Sequence, residues 1–152
     1  MDYTAYYESP LGWIEVKGND LGIISVLFVD EQGQTCKSPL VAQCVEELEE
    51  YFQNKRTTFT VPLCLDGTDF QKRVWTALRT VPYGKTASYL DMANEIGNPK
   101  AVRAIGGANS RNPISIIVPC HRIIGKNGTL VGYEGGLWRK EWLLKHEGSL
   151  TK

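Results

Sequence analysis

One short stretch organises the interpretation of the whole sequence: Ile116-Ile117-Val118-Pro119-Cys120-His121-Arg122-Ile123-Ile124. Its β-branched apolar residues favour a buried strand over 114–118, and Pro119 ends that strand because proline has no N–H for the ladder. Cys120 would then follow a buried strand with an imidazole and a guanidinium beside it, an environment that lowers the pKa of a thiol. A packed structural Cys beside a surface His is the alternative, and this stretch alone does not decide between them.

The composition of the 152 residues is that of a globular chain with one domain or two small ones. No apolar run approaches the roughly 20 residues of a membrane span, and the first residues show no secretory signal. The cysteines at 36, 44, 64 and 120 have no CxxC spacing, and both His lie far from the first three. This argues against a disulfide framework or a zinc site. We therefore expect reduced thiols, no metal or cofactor, and a cytoplasmic protein.

The net charge of zero conceals an uneven distribution along the chain. Residues 1–68 carry 4 basic and 11 acidic side chains, a net charge of −7. Residues 69–128 carry 9 basic and 3 acidic ones, a net charge of +6. A basic middle segment predicts contact with a polyanion there, and the alternative is ordinary surface scatter.

The first part of the chain has the pattern of a small α/β unit. Short apolar segments bounded by turn residues predict a three-stranded antiparallel meander at 3–8, 13–17 and 23–29. Ser38 then caps a helix that has Pro39 at its first position. The acidic run at 46–50 lies opposite the apolar face of this helix, so we expect it to be solvated.

Beyond an extended segment at 59–68, the chain is mainly helical. Thr68 with Gln71, and Ser88 with Asp91, have the spacing of capping boxes that begin two helices. Because each cap stands just before an apolar stripe of helical period, we expect both helices to pack on a common core.

A helix-turn-helix is predicted at the centre of this second part. Gly97 supplies a left-handed stop for the helix that begins at Ser88. Asn98 and Pro99 then cap and open a third helix, predicted over 100–109. Two short helices joined by a tight turn that contains Gly have the form of a helix-turn-helix. Because the first part has an α/β pattern and this second part is mainly helical, we expect two domains, at 1–67 and 68–152.

The predicted third helix has almost no side-chain bulk, since its residues include Ala101, Ala104, Gly106, Gly107 and Ala108. Adjacent glycines cost a helix about 2 kcal/mol relative to Ala, so close approach to another surface must offset them. Tight packing on a neighbouring helix is one explanation. The other is a slim helix in the minor groove of DNA with Arg103 projecting, and the basic charge of this segment favours it.

Several motifs follow one another in a fixed order in the second half: Asn-Pro at 112–113, Pro-Cys-His-Arg at 119–122, Gly-Tyr-x-Gly-Gly-Leu at 132–137, and Lys-Glu-Trp-Leu-Leu-x-His-Glu-Gly at 140–148. They resemble the O6-alkylguanine-DNA alkyltransferase family (methylated-DNA–protein-cysteine methyltransferases). The resemblance is dense over 68–148 and weak over 1–65. It implies a ribonuclease H-like α/β domain with a three-stranded antiparallel sheet, then a mainly α domain with a winged-helix-like helix-turn-helix.

The activity implied by this resemblance is the repair of alkylated guanine, and of O4-alkylthymine, in double-stranded DNA. A monomer would transfer one alkyl group irreversibly to the sulfur of Cys120, because attack on an sp³ carbon needs a soft, strong nucleophile. By the same resemblance, His121 deprotonates Cys120 through a bridging water and Glu147 orients the His. Asn112 would brace the turn that carries the thiol.

The resemblance also implies how DNA is held. The target atom lies inside the base stack, so the nucleotide must be flipped out. Arg103 would fill the vacated place, and Tyr89 would rotate the phosphate and give a hydrogen bond to the flipped base. The other expected DNA contacts are Ala101, Ala104, Gly106 and Arg122.

The expected pocket residues are Tyr133, Glu134, Gly135, Ile123 and Lys140. Tyr133 would form a wall, the carbonyl oxygens of Cys120 and Ile123 would accept the guanine amino group, and Lys140 would hold the pocket loop. Glu134 departs from the family, which often has a small residue such as Ser there. A carboxylate aimed at an oxygen that gains negative charge would oppose the reaction. We therefore expect the Glu134 side chain to point outward.

Two other functions remain open on the sequence alone. A Cys–His–Glu thiol hydrolase would turn over an ester or amide repeatedly without DNA, but it leaves the helix-turn-helix and Arg103 unexplained. A lesion-binding module without transfer would not need Cys120, and alkyltransferase-like proteins of that kind replace this Cys.

Overall fold

The computed structural model describes residues 2–125, 130, 132–133 and 135–150. The chain divides into two compact units, Met1–Asp66 and Gly67–Lys152. The fold class is the one predicted from the sequence, a three-stranded antiparallel sheet with a helix, followed by a mainly helical unit.

The sheet of the first unit consists of β1 (Tyr3–Ser9), β2 (Gly12–Gly18) and β3 (Ile23–Val29), hydrogen-bonded in that order. Ala5, Val16 and Val26 lie side by side across the strands and are all buried. The alternation of apolar residues therefore gives the sheet one core-facing side. Helix α1 (Pro39–Phe52) contacts all three strands and begins at the predicted Ser38 cap.

The acidic run on α1 was predicted to be solvated, but one of its residues is not. Glu47 is only 3% exposed. Its carboxylate accepts hydrogen bonds from Gln43 Nε2 at 2.9 Å, Thr60 Oγ1 at 2.7 Å, Thr60 N at 2.9 Å and Val61 N at 3.1 Å. Burial by itself raises the pKa of Glu47, but these hydrogen bonds outweigh burial and hold the pKa below its ordinary value. Glu47 thus fastens the irregular segment after α1 to the helix.

Replacing Glu47 with Gln should destabilise the protein. A neutral amide presents an NH₂ group to donors and cannot satisfy all of them, so we expect a loss of about 2 kcal/mol in the free energy of unfolding. The wild-type contribution should also fade in acid. The folded-state pKa is depressed, so the stabilisation is present at neutral pH and lost as the pH falls through that pKa.

Urea unfolding at about pH 7 and about pH 3 measures both effects. Glu46→Gln is the matched control, since Glu46 is exposed on the same helix and its loss should cost no more than about 0.5 kcal/mol. Equal losses in the two variants would contradict a buried role for Glu47.

The second unit is built from α2 (Asp69–Leu78), α3 (Tyr89–Glu95), α4 (Val102–Ser110), a 3₁₀ turn (Cys120–Arg122) and α5 (Leu137–His146). Both predicted capping boxes are present, at Thr68 and at Ser88. The indole N–H of Trp75 donates to the Ala108 carbonyl at 2.9 Å, and Arg73 donates to the Ile96 carbonyl at 2.6 Å. These bonds fix α3 and α4 to α2.

The helix-turn-helix consists of α3 and α4, with Gly97 at φ +76° in the turn as predicted. The second helix begins later than predicted, at Val102 instead of Lys100. Residues 98–101 form a separate turn closed by the Ala101 N–H on the Asn98 carbonyl at 3.0 Å. Asn98 therefore precedes a turn and does not cap the helix.

The predicted strand at 114–118 is wrong. The segment is a tight coil in which Val118 N donates to the Ile114 carbonyl at 3.1 Å and Ile117 N donates to the Ser115 carbonyl at 2.8 Å. Ile116 lies at φ +72°, a conformation that a β-branched residue rarely adopts. The apolar composition still has a physical cause, since Ile114, Ile116 and Val118 are fully buried.

Candidate active site

Cys120 lies at the start of the 3₁₀ turn, directly after the coil at 114–118, and is 4% exposed. Asn112 holds this coil from inside. Its side-chain amide donates to the Val118 carbonyl at 2.8 Å, and its side-chain oxygen accepts from Ile114 N at 2.9 Å. Cys120 N in turn donates to the Val118 carbonyl at 2.8 Å. Hydrogen bonds made by one buried Asn therefore set the position of the thiol.

His121 and Glu147 form a buried pair in which Nε2 and Oε2 are 2.7 Å apart. Burial lowers the pKa of His121, and the neighbouring carboxylate opposes this only in part. Burial raises the pKa of Glu147, but His121 and Arg122 outweigh burial and hold it well below its usual range. An ionised carboxylate only accepts, so Nε2 of the neutral imidazole carries the proton and Nδ1 presents a lone pair. Nδ1 is buried and has no hydrogen-bond partner in the described part of the chain.

Arg122 occupies a different place from the DNA-facing surface expected for it. Its guanidinium is buried against Glu147, with Nε on Oε1 at 2.8 Å and Nη2 on Oε2 at 3.1 Å. Nη1 donates to the Val81 carbonyl at 2.7 Å. A guanidinium committed to these acceptors is not presented to solvent. We therefore correct its role from DNA contact to holding Glu147 in position.

Lys140 is fully buried, although a lysine side chain is ordinarily exposed. Its Nζ donates to the Ile123 carbonyl, and burial lowers its pKa to about 8. The signal was in the spacing, because Lys140, Leu143, Leu144 and Glu147 recur at positions i, i+3, i+4 and i+7 of one buried helix face. Leu137, at the start of the same helix, is 49% exposed.

The segment at 122–124, which follows Cys120, is hydrogen-bonded to Ala87 at the start of the helix-turn-helix. Ala87 N donates to the Arg122 carbonyl and Ile124 N donates to the Ala87 carbonyl, both at 2.9 Å. Ile123 and Ala87 thereby form a short parallel bridge just before the Ser88 cap. The main chain thus links the turn that carries the thiol to helix α3.

Negative charge on Cys120 acts on the pKa of three groups, the phenols of Tyr89 and Tyr133 and the amine of Lys140. Burial raises the pKa of Tyr133 well above its ordinary value, and the charge of Cys120 raises it further. Tyr89 is half-buried, and the same two causes raise its pKa. Both phenols are therefore protonated at neutral pH. The Gly135 carbonyl accepts from Arg139 Nη1 at 2.9 Å, whereas Glu134 lies outside the described residues.

The small residues of α4 form an open face. Arg103, Ala104 and Gly107 are exposed, and Ala101 and Gly106 are half-buried. A Cβ added at Gly107 would meet nothing within 4 Å, and one at Gly106 would only reach the Tyr89 ring at 4.0 Å. Packing within the described chain therefore does not require these glycines, which removes the first of the two explanations for them.

The remaining structural findings concern metals and membranes. The described residues contain no group of three or more His, Cys, Asp or Glu side chains placed to hold a metal ion. Within the same part of the chain, no helix is both long enough and apolar enough to cross a membrane.

Comparison with known families accounts for nearly the whole chain. Residues 69–149 match the family described as 6-O-methylguanine DNA methyltransferase, DNA binding domain. Residues 3–65 match 6-O-methylguanine DNA methyltransferase, ribonuclease-like domain. A methylated-DNA–protein-cysteine methyltransferase of Methanosarcina acetivorans is 47% identical over 97% of this chain and 99% of its own length. The chain belongs to this family.

Solved structures of the methylated-DNA–protein-cysteine methyltransferase family have the same fold. The crystal structure of Mycobacterium tuberculosis O6-methylguanine methyltransferase matches with a TM-score of 0.88 at 42% identity, over 100% of this chain and 96% of that one. The M. tuberculosis OGT in complex with DNA matches with a TM-score of 0.85 at 45% identity, over 95% and 92% of the two chains. The residues around Cys120 all lie in the part that matches the DNA-binding domain.

Removing the guanidinium of Arg122 should strongly destabilise the fold. In Arg122→Met the Glu147 carboxylate stays buried without the guanidinium that bonds to both of its oxygens. We expect a loss of about 3 kcal/mol in the free energy of unfolding, measured by urea denaturation. Lys145→Met is the control, because it breaks the exposed Lys145–Glu141 pair at 2.7 Å and should cost less than about 1 kcal/mol. Similar losses in both variants would refute the buried role of Arg122.

Proposed function

We propose that this chain repairs alkylated DNA by transferring one alkyl group from the O6 atom of guanine to Cys120, once per molecule. The observation that carries the proposal is the protonation pattern beside the thiol. Nε2 of His121 is committed to the Glu147 carboxylate, so Nδ1 is the basic atom left in the buried site. Family membership supports the same activity.

The proposed chemistry begins with loss of the thiol proton. Nδ1 of His121 takes this proton through a bridging water, and the ionised Glu147 stabilises the imidazolium that forms. The Cys120 sulfur then attacks the alkyl carbon, so that a C–S bond forms while the bond from that carbon to O6 breaks. The electron pair of the broken bond goes to the guanine. In net terms the alkyl group replaces the thiol proton, which ends on the repaired guanine, and that guanine stays in the DNA.

The transfer is proposed to be irreversible because its product is a thioether. Nothing in the mechanism displaces the alkyl group from sulfur, so each molecule reacts once. The buried thiol also excludes bulk water from the reacting atoms, which strengthens the electrostatic effect of the His121–Glu147 pair.

The open face of α4 supports the proposed mode of DNA binding. With no side chain larger than a methyl group at Ala104, Gly106 and Gly107, the backbone can approach the floor of the minor groove. Arg103 projects from this face and would enter the stack in place of the flipped nucleotide. The match to a DNA-binding domain and the DNA complex of a relative make DNA the expected partner.

The flipped base is proposed to lie between Tyr89 and Tyr133, with Gly135 at its edge. The carbonyl oxygens of Cys120 and Ile123 would accept its amino group. Each already accepts one hydrogen bond, from Ile123 N at 3.3 Å and from Lys140 Nζ respectively, and each keeps a second lone pair.

The finer assignments follow from the same proposal. The substrate is double-stranded DNA carrying O6-alkylguanine, and O4-alkylthymine as a second lesion, and the protein acts as a monomer. The domain at 68–152 carries both DNA binding and transfer, and the domain at 1–67 is ribonuclease H-like. Cytoplasmic location is supported by four cysteines that all lie among the described residues, none of them in a disulfide.

Covalent labelling tests the proposal directly. Incubation with O6-benzylguanine should raise the intact mass by one benzyl group, and DNA with labelled methylguanine should leave one label per chain, because Cys120 alone of the four cysteines is followed by a His. Cys120→Ser should gain neither group. Cys36→Ser is the control and should label as the wild type does, since Cys36 is an exposed thiol of the first unit.

Each other function makes a different prediction for the same experiment. Repeated turnover without stable labelling would indicate a thiol hydrolase. Full lesion binding with no label in the wild type would indicate a binding module. Either result would overturn the transfer proposed for Cys120.

Replacing Arg103 with Ala should separate base flipping from chemistry. Transfer from duplex DNA should slow by more than about tenfold, because the vacated place in the stack is no longer filled. Reaction with free O6-benzylguanine should keep its rate, since that base is already outside a duplex. Arg111→Ala is the matched control, an exposed Arg at the end of the same helix that removes the same charge. Equal slowing with both substrates would remove the flipping role from Arg103.

A further inference from the structure

The first turn of α5 carries two side chains, Trp138 and Arg139, that the mechanism above does not use. Trp138 is 58% exposed and therefore adds little to the core. Arg139 is a cation at the beginning of a helix, where the helix dipole disfavours positive charge. Neither the core nor the helix explains this pair, so the reason for it must lie in the contacts that the two side chains make.

Both side chains turn back toward the beginning of the helix, the direction in which helical Cα–Cβ bonds point. Nη1 of Arg139 donates to the Gly135 carbonyl at 2.9 Å, and its Cζ atom lies 4.5 Å from the centre of the Trp138 ring. An indole over the face of a guanidinium leaves the N–H groups at its edge available for hydrogen bonds. Trp138 thus restricts the guanidinium that holds Gly135.

Trp138 also covers the next residue, Gly136. A Cβ added at Gly136 would stand 3.3 Å from Cδ1 and 3.5 Å from Nε1 of the indole. Gly136 has φ +93° and ψ 148°, a conformation essentially confined to glycine, and its N–H donates to the Tyr133 carbonyl at 2.9 Å. We call Tyr133, Gly135 and Gly136 the pocket rim. Arg139 therefore holds the rim at one residue and Trp138 covers it at the next.

The pocket rim is bonded to the segment that carries the thiol through Lys140. The Lys140 N–H donates to the Gly136 carbonyl at 3.2 Å, and its Nζ donates to the Ile123 carbonyl. Ile123 N in turn donates to the Cys120 carbonyl at 3.3 Å. One residue thus joins the rim to the carbonyl that is proposed to accept the guanine amino group, so the order of the rim bears on how the base is received.

We propose that Trp138 and Arg139 are positioning residues that hold the pocket rim in the arrangement that accepts the base. This rests on the proposed function, in which Tyr133 and Gly135 line the flipped guanine. Without the pair, the rim is less ordered in the free protein, and the base has to order it on binding. Such a cost weakens substrate binding and leaves the chemical step at Cys120 unchanged. Neither residue touches the substrate.

The first test replaces Arg139 with Met in the full chain and follows benzyl transfer from O6-benzylguanine by intact mass. This probe is neutral, so the lost charge does not by itself change its binding. We expect its half-saturating concentration to rise about fivefold, the effect of one hydrogen bond, while the limiting rate and its pH dependence stay those of the wild type. Lys145→Met is the control, because it removes a cation from an exposed position of the same helix and should behave as the wild type.

The result separates positioning from a merely structural role. A lower thermal midpoint of Arg139→Met with an unchanged half-saturating concentration would overturn the proposal. A lower limiting rate at an unchanged half-saturating concentration would also overturn it, since the effect would then lie in the reaction of Cys120. A wild type that gains no benzyl group would instead refute the proposed function, so the two failures are distinguishable.

The second test changes Trp138, whose exposure lets its variants keep the fold. Trp138→Leu keeps the Arg139 charge but removes the ring, and we expect the half-saturating concentration to rise about threefold. Trp138→Phe keeps an aromatic face and should stay close to the wild type. The double variant with Arg139→Met should show less than the product of the two separate effects, because Trp138 acts in part through Arg139. A wild-type value for Trp138→Leu, or a full product in the double variant, would overturn the joint role of the pair.

Discussion

The buried carboxylate of Glu147 is the constraint on which the second unit depends. It stands just after α5 and meets both His121 and Arg122 of the 3₁₀ turn. Arg122 is also bonded to the Val81 carbonyl, so one carboxylate fastens three segments that are distant in sequence. An unpaired charge at this depth would cost several kcal/mol, which makes these partners obligatory. The ion pair that holds the fold together is therefore the one that sets the protonation state of the His.

Arg122 explains how a His can remain a base beside an ionised carboxylate. If His121 were the only partner, the Glu147 charge would strongly favour the imidazolium. The guanidinium neutralises much of that charge, and burial then keeps the imidazole neutral. A general base has to be unprotonated before the reaction and stabilised once it is protonated. His121 meets both needs, because burial keeps its imidazole neutral and the Glu147 carboxylate stabilises the imidazolium once it forms.

The sequence predicted those features that depend on local chemistry. The capping boxes at Thr68 and Ser88, the Pro39 helix start and the turn at Gly97 all follow from bonds made within a few residues. The prediction of a strand at 114–118 was wrong because β-branched residues indicate burial as readily as they indicate a strand. There the decisive contact is the Asn112 side chain, which competes with any ladder for the Val118 carbonyl.

Buried charges were the second kind of feature that the sequence concealed. Glu47 and Lys140 each carry a charged group into the core, and Arg122 does so beside Glu147. Composition places such residues on the surface, since burial is favourable only when specific partners are present. Those partners are main-chain groups of distant segments, such as Val61 N and the Ile123 carbonyl. No spacing rule within one helix reveals them, although the helical period does reveal which face is buried.

Strain and unsatisfied polar atoms occur at residues 109–121, in the stretch of chain that carries the thiol. Ile116 has a positive φ, and both His121 Nδ1 and Asn109 Oδ1 are buried without partners in the described part of the chain. Each costs about 1–3 kcal/mol, so the surrounding packing must hold them in place. A site that reacts once needs no motion to restore it. Buried hydrogen bonds can therefore fix its atoms in the reactive arrangement. Folding supplies the free energy of this ordering, so the site is already organised when DNA binds.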